Sequence, residues 1–162
     1  MSLSIKMTVK QTEPMTVAFL SVKGHFSQIP TAFGKLYSWI NDKGYTPRGP
    51  AITVYYNVPG QVPDDQLSWE LRSEIGENQA AIEPDEQGLG IKRVGAVQVD
   101  TAMYKGPYEK MEGTYRALTE WVSENGYEIN GPVEELYFNN PARPEELITE
   151  IRFPVSKKQM ID

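Results

Sequence analysis

Apolar residues recur at helical spacing in two segments of the chain. In both segments they follow the i, i+3, i+7 pattern of one helix face. Each pattern ends just before a glycine, Gly44 or Gly126, which can adopt the left-handed conformation that often closes a helix. Ser27 suits the N-cap of the first helix, and Pro30 suits its first turn. The two predicted helix faces consist of Phe26, Ile29, Phe33, Leu36 and Ile40, and of Tyr108, Met111, Tyr115, Leu118 and Val122.

Alternating apolar and polar residues predict strands on both sides of each helix. Proline-rich segments such as 58–65 and 140–146 separate the paired strands, because this composition favours turns. The stretch 76–88 is polar and indicates a linker. The predicted strands are Ile5–Thr12, Met15–Val22, Ala51–Val58, Leu67–Ile75, Leu89–Val94, Ala96–Tyr104, Val133–Asn139 and Leu147–Phe153.

The chain contains an internal repeat. A shift of 82 positions places residues 23–57 on residues 105–139 without a gap, and ten of the 35 pairs are identical. After a further shift of two residues, Glu70 aligns with Glu150 and Arg72 with Arg152. We therefore predict a single α+β domain over residues 1–162, built as a tandem repeat of two β-β-α-β-β modules. Each module has an antiparallel sheet and one helix, and the modules form a pseudo-two-fold cleft. Repeat 1 spans about residues 3–75, the linker about 76–88 and repeat 2 about 89–156.

Composition narrows the classes of function. The chain has 162 residues and no cysteine, which excludes thiol catalysis, disulfides and cysteine-bound zinc and fits a cytoplasmic protein. The net charge is −6 and no basic patch is visible, so we expect no direct nucleic-acid binding. No apolar run is long enough to cross a membrane, and no signal peptide is visible at the start. We also expect no cofactor, because neither a metal-ligand cluster nor a phosphate-binding glycine loop is present. The oligomeric state stays open.

Strand alternation predicts which side chains leave the helix-covered face and line the cleft. On this reasoning Leu136 and Phe138 face the helix. Aromatic rings with a few carboxylates suit a flat, cationic organic molecule, and burial raises the pKa of a carboxyl group and makes it a proton acceptor. The predicted cleft residues are Tyr55, Glu70, Glu135, Tyr137 and Glu150.

Each of these residues also has a purely structural interpretation. Glu70 and Glu150 lie two positions before Arg72 and Arg152, so either pair could be an exposed ion pair. We favour this for Glu70, whereas the family resemblance described below favours a functional role for Glu150. The two tyrosines could be ordinary strand residues, and Glu135 could be a solvated one. We interpret Trp39 and Trp121 as core or domain-packing residues and His25 as structural.

Nearly the whole chain, most densely from Tyr104 to Val155, resembles the GyrI-like domain, the effector-binding module of AraC- and MerR-type multidrug regulators. The residues that carry the resemblance are Lys105-Gly-Pro-Tyr-Glu, Leu118-Thr-Glu-Trp, Asn125-Gly-Tyr, Gly131-Pro, Glu135-Leu-Tyr, Asn140-Pro and Thr149-Glu-Ile-Arg-Phe-Pro-Val. The resemblance implies a duplicated module whose ligand contacts are a buried glutamate, here Glu150, and aromatic residues, here Tyr108 and Tyr137. No helix-turn-helix precedes these motifs, so a stand-alone member is expected.

Three functions follow from the resemblance. The first is a small-molecule-binding module that senses, sequesters or detoxifies an aromatic or cationic compound. The second is a hydrolase that opens cyclopropane-type cytotoxins, with Glu150 as general base and Tyr108 or Tyr137 as hydrogen-bond donor. The third is a protein partner that inhibits gyrase. Binding and catalysis require the same residues, so the sequence leaves them open.

Overall fold

The computed structural model describes residues 6–159 and has an α+β fold. Its strands are paired antiparallel. The predicted start of repeat 1 at residue 3, and Ile5 of the first predicted strand, lie outside the described residues. The elements in chain order are β1 (Met7–Gln11), β2 (Met15–Lys23), α1 (Ile29–Asp42), β3 (Arg48–Tyr55), β4 (Ser68–Glu74), β5 (Leu89–Val94), β6 (Gln98–Lys105), α2 (Glu112–Glu124), β7 (Tyr127–Ile129), β8 (Val133–Tyr137) and β9 (Ile148–Lys157).

Both predicted helices form, each after a short 3-10 turn, Phe26–Gln28 or Tyr108–Lys110. Pro30 lies in the first turn of α1, as predicted. The glycines Gly44 and Gly126 follow the helix ends with φ of 83° and 79°, the left-handed conformation that the sequence required there. The prediction of Ser27 as the helix N-cap is wrong, because Ser27 lies inside the 3-10 turn. Its backbone N–H donates instead to Nδ1 of His25, which gives His25 a structural role.

The chain divides into two compact units. Unit 1 consists of residues 6–12 and 96–159, and unit 2 of residues 13–95. In unit 1 the strands are ordered β1-β6-β9-β8, and β7 pairs with the far end of β9. In unit 2 the order is β3-β4-β2-β5. Strand β1, the first strand of repeat 1, pairs with β6 and therefore belongs to unit 1, which contains the helix α2 of repeat 2. Strand β5, the first strand of repeat 2, pairs with β2 and therefore belongs to unit 2, which contains the helix α1 of repeat 1. The boundaries between the compact units lie after residues 12 and 95, and these positions differ from the predicted repeat boundaries.

Each unit buries one face of its sheet under its helix. In unit 2 the core below α1 includes Leu36, Ile40, Leu67, Trp69 and Leu71, as the helical and strand patterns predicted. In unit 1 the core below α2 includes Leu118, Val122, Ile151 and Phe153. Trp39 and Trp121 are partly buried against these cores, which agrees with their interpretation as packing residues. Neither described helix is long and apolar enough to cross a membrane.

Candidate functional site

Strand register in unit 1 decides which face carries each predicted site residue. Residues directly opposite one another in an antiparallel pair point to the same side of the sheet. Glu135 lies opposite Ile151, and Tyr137 opposite Thr149. Because Ile151 belongs to the core under α2, Glu135 and Tyr137 face the helix. The prediction that they face away from it is wrong.

The same register places Leu136 opposite Glu150, on the face away from α2. Leu136 was predicted to face the helix together with Phe138, which is 47% exposed. The error arose because both faces of β8 are buried at this point. Leu136 is 2% exposed and Glu135 6% exposed, so the position of the apolar residue does not identify the helix side. Glu150 does point away from the helix, as predicted.

Tyr55 of unit 2 is also on the helix face. It lies opposite Trp69, whereas Val54 lies opposite Glu70. The ring of Tyr55 meets Phe26 edge to face, with ring centroids 5.1 Å apart. Tyr55 is therefore a packing residue of the α1 core and does not share a face with Glu70, contrary to the prediction.

Glu150 is buried but surrounded by cations. Its side chain accepts hydrogen bonds from Arg152 Nε at 2.6 Å and from Thr101 Oγ1 at 2.8 Å, and Lys10 Nζ lies 3.1 Å away. Burial alone raises the pKa of this carboxyl group, but Arg152, Thr101 and Lys10 together outweigh burial and hold the pKa below its ordinary value. The expected proton acceptor with a raised pKa is therefore not found at position 150.

Glu70 has an equivalent environment in unit 2. It is 2% exposed, accepts a hydrogen bond from Arg72 Nε and pairs with Lys92 Nζ at 2.7 Å. The ion-pair interpretation of Glu70 is confirmed, although the pair is buried rather than exposed. Lys10 and Lys92 are separated by the 82 positions of the sequence repeat. The two glutamates thus occupy matching Lys-Glu-Arg triads, which is typical of a structural role.

A different carboxylate lies among aromatic rings. Glu135 accepts a hydrogen bond from the hydroxyl of Tyr137 at 2.8 Å and another from the hydroxyl of Tyr115. The ring of Tyr108 meets that of Tyr137 edge to face, with centroids 5.8 Å apart. We call Glu135, Tyr108, Tyr115 and Tyr137 the Glu135 cluster. All four residues belong to unit 1.

Three elements position the Glu135 cluster. Strand β8 supplies Glu135 and Tyr137 two positions apart and therefore on one face. Helix α2 supplies Tyr115 from its inner side, and the 3-10 turn before the helix supplies Tyr108. Tyr108 is 47% exposed, so it forms the accessible side of the cluster. Its pKa is raised by burial and by the nearby negative charge of Glu135, which keeps its hydroxyl protonated at neutral pH.

The sequence reasoning missed Tyr115, Thr149 and Asp100. Tyr115 was counted only as a helix-face residue and Thr149 only as a core residue. A signal for Tyr115 and Glu135 was available in the repeat, because the first copy has Phe33 and Thr53 at these positions. The second copy therefore carries more polar groups than the first copy at these two positions. The part of the chain described by the structure holds no cluster of three or more metal-ligating side chains.

An α+β chain that holds a carboxylate among tyrosines has the chemistry of a small-molecule-binding domain. The family model of the GyrI-like small molecule binding domain matches residues 5–156, and the chain belongs to this family. None of the curated proteins matches the chain.

Solved structures show the same fold. The C-terminal domain of EcmrR is 21% identical, with a TM-score of 0.81; the match covers 96% of this chain and 99% of that domain. This chain spans 58% of the EcmrR chain in its complex with DNA. A hydrolase from Listeria innocua has a TM-score of 0.70 at 17% identity, with 93% and 92% coverage. SAV2435 bound to tetraphenylphosphonium has a TM-score of 0.57 at 14% identity, with 93% and 94% coverage.

Proposed function

We propose that this chain binds an aromatic organic cation at the Glu135 cluster. The observation that carries the proposal is a carboxylate, 6% exposed, that accepts hydrogen bonds from the hydroxyls of Tyr115 and Tyr137. The tyrosine hydroxyls hold the carboxylate in place, and Tyr108, which is half-exposed, supplies an aromatic ring that a cation can contact. Membership of a small-molecule-binding family and the ligand of SAV2435 support this choice of ligand class.

Glu135 suits this role better than Glu150. Arg152 and Lys10 already compensate the charge of Glu150, so a cationic ligand gains little there and must compete with both side chains. The Glu135 carboxylate accepts hydrogen bonds from the hydroxyls of Tyr115 and Tyr137, which carry no positive charge. A cation beside this carboxylate is attracted by its negative charge in a poorly hydrated setting.

The test is titration calorimetry with tetraphenylphosphonium on the wild type, Glu135→Gln and Glu120→Gln. Gln retains the size of the side chain and removes its charge. We expect Glu135→Gln to weaken binding by about 10- to 100-fold, the range for losing a desolvated charge contact. Glu120 lies on the exposed side of α2, so Glu120→Gln makes the same change in net charge and should bind like the wild type. Equal affinity of all three proteins would refute the role of Glu135.

A hydrolase is the second candidate, favoured by the same carboxylate-tyrosine network. In the opening of an electrophilic cyclopropane, Glu135 would take a proton from water while the water oxygen bonds to a ring carbon. The broken carbon–carbon bond would deliver its electron pair to a conjugated carbonyl, whose oxygen the Tyr108 hydroxyl would stabilise. Glu150 suits the general base less well, since its pKa is lowered. Turnover that survives Glu135→Gln but is lost in Glu150→Gln would reverse this assignment.

A further inference from the structure

Thr149 has a buried hydroxyl that nothing in unit 1 satisfies. The residue is 0% exposed, and its Oγ1 has no hydrogen-bond partner among the described residues. Buried hydroxyls in proteins are usually hydrogen-bonded, and leaving one without a partner costs about 1–3 kcal/mol. Such a group requires an explanation, and a ligand contact is one of the few available.

The position of Thr149 connects it to the Glu135 cluster. It lies on the helix face of β9, directly opposite Tyr137 on β8 and opposite Tyr104 on β6. The hydroxyls of both neighbours are engaged elsewhere. Tyr137 donates to Glu135 at 2.8 Å, and Tyr104 donates to the carbonyl of Pro107 at 2.7 Å. Thr149 therefore lies beside the carboxylate-tyrosine network without being part of it.

Unit 2 shows how the same position is filled when it serves only packing. The counterpart of Thr149 in strand register is Trp69, which lies opposite Tyr55 as Thr149 lies opposite Tyr137. The indole Nε1 of Trp69 donates to the carbonyl of Gly24 at 2.9 Å, and its ring meets Phe26 with centroids 6.4 Å apart. Unit 2 thus has a large, satisfied side chain here. Unit 1 has a small, unsatisfied one beside a carboxylate.

We propose that Thr149 Oγ1 is a specificity-determining contact of the Glu135 cluster and that the ligand is an aromatic cation carrying N–H groups. This inference rests on the proposed function. The carboxylate meets the positive charge, the tyrosine rings meet the aromatic system, and the threonine oxygen accepts a hydrogen bond from a ligand amine. A fully substituted cation uses the first two contacts only.

A ligand reaches Thr149 only if a neighbouring ring rotates. Tyr108 is the ring that moves at the lowest cost, because it is 47% exposed and packs edge to face on Tyr137, the cross-strand neighbour of Thr149. Rotation of Tyr108 frees one side of the Tyr137 ring, and a flat ligand can then replace that contact with its own ring.

The experiment compares two triarylmethane dyes of the same charge. Pararosaniline carries NH₂ groups, whereas in crystal violet these nitrogens are fully methylated; tetraphenylphosphonium serves as a third ligand without hydrogen-bond donors. Binding is measured on the wild type and Thr149→Val, which replaces the hydroxyl with a methyl group at nearly constant size. We expect Thr149→Val to weaken pararosaniline about fivefold and the other two ligands less than twofold.

Stability provides an independent readout. Removing an unpartnered buried hydroxyl relieves its desolvation cost, so Thr149→Val should raise the Tm by about 2–4 °C. The matched control is Thr16→Val in unit 2, where the buried threonine Oγ1 accepts a hydrogen bond from Arg93 at 3.4 Å. Thr16→Val should not raise the Tm and should leave the affinity for all three ligands unchanged. Thr149→Ser retains the hydroxyl and should retain the wild-type preference among the ligands.

The outcomes separate this inference from the proposed function. If no cation binds the wild type, the proposed function fails. If the cations bind and Thr149→Val weakens all of them equally or none of them, the binding function stands and the role of Thr149 is overturned. A Tm that falls in Thr149→Val shows that the hydroxyl is satisfied in solution, which also overturns it.

Discussion

Asp100 should contribute more to the stability of the protein in acid than at neutral pH. It is 0% exposed on the helix face of β6, between the cross-strand neighbours Val9 and Phe153. Neither carboxylate oxygen has a hydrogen-bond partner of ordinary geometry within residues 6–159. Burial raises the pKa of Asp100 from 3.8 to about 6, and the nearby backbone N–H of Thr101 offsets this only in part.

The sign of the effect follows from linkage. A carboxyl group whose pKa is higher in the folded than in the unfolded chain binds its proton more tightly when folded. Its contribution is therefore fully present below pH 3.8 and is lost as the pH rises through about 6. A difference of about two pKa units corresponds to about 3 kcal/mol in the free energy of unfolding. Between pH 4.0 and pH 7.5 the expected loss is about 2–2.5 kcal/mol.

The perturbation is Asp100→Asn, which cannot ionise, and the assay is urea unfolding followed by circular dichroism at pH 4.0 and pH 7.5. Other groups also titrate in this range. Glu150 has a lowered pKa and contributes stability that is lost as the pH falls, so it acts in the opposite direction. Subtracting the wild type from the variant at each pH cancels this contribution.

The free energy of unfolding of Asp100→Asn minus that of the wild type should be about 2–2.5 kcal/mol higher at pH 7.5 than at pH 4.0. The cost of burying the amide is the same at both pH values and does not affect this change. The side chains directly opposite Asp100, Val9 on β1 and Phe153 on β9, are apolar and do not titrate. A difference that changes by less than 0.5 kcal/mol, a limit set at about the error of urea extrapolation, would refute the reasoning.

Two further predictions concern stability. Glu150→Gln should lower the free energy of unfolding by about 2–4 kcal/mol, because it leaves Arg152 and Lys10 without their buried anion; urea unfolding measures this, and a loss no larger than in the exposed Glu120→Gln would contradict it. Gly88→Ala should cost about 1–3 kcal/mol, because Gly88 has φ of 86° and an added Cβ would lie 2.5 Å from the backbone oxygen of Ser21. The paired change Gly113→Ala in α2, where an added Cβ meets nothing within 4 Å, should instead stabilise by about 0.5–1 kcal/mol, and similar Tm values for the two variants would show that backbone geometry does not decide the outcome.

Local patterns were sufficient to predict most of the elements, because helix periodicity and strand alternation are properties of short segments. The strand β7 was missed, since Tyr127–Ile129 is too short to show alternation. Strand partners depend on contacts between distant residues, so the pairing of β1 with β6 could not be derived from the pattern of either strand. The shared 82-residue offset predicted that Lys23–Asn57 and Lys105–Asn139 have similar local structure, but it contains no information on which strand pairs with which.

The candidate site was predicted only in part for the same reason. Alternation correctly placed Glu135 and Tyr137 on one face of β8 and Leu136 on the other. Which of these faces meets α2 depends on the register of β8 against β9, a tertiary property. A rule that assigns the more apolar face to the helix fails when both faces are buried. Glu150 was favoured because of the family resemblance, and neither the resemblance nor the strand pattern could show that Lys10, far away in the sequence, would pair with it.

Comparison of the two copies supports the placement of the proposed binding site in unit 1. At the positions of Phe33, Thr53 and Trp69 in unit 2, unit 1 has Tyr115, Glu135 and Thr149.

Relative to unit 2, unit 1 gains a hydroxyl at Tyr115 and a carboxylate at Glu135, and it has a smaller side chain at Thr149. The counterparts of these residues in unit 2 serve packing. A carboxylate needs hydrogen-bond donors when it is buried, and an unsatisfied hydroxyl lowers stability, so none of the three changes improves the core. Local rules for a stable core are typically broken where a site is built. The helix face of unit 1 breaks them at three neighbouring positions around one carboxylate, whereas the matching face of unit 2 is a packed aromatic core. We therefore expect one cation to bind per chain, on the unit that contains Glu135.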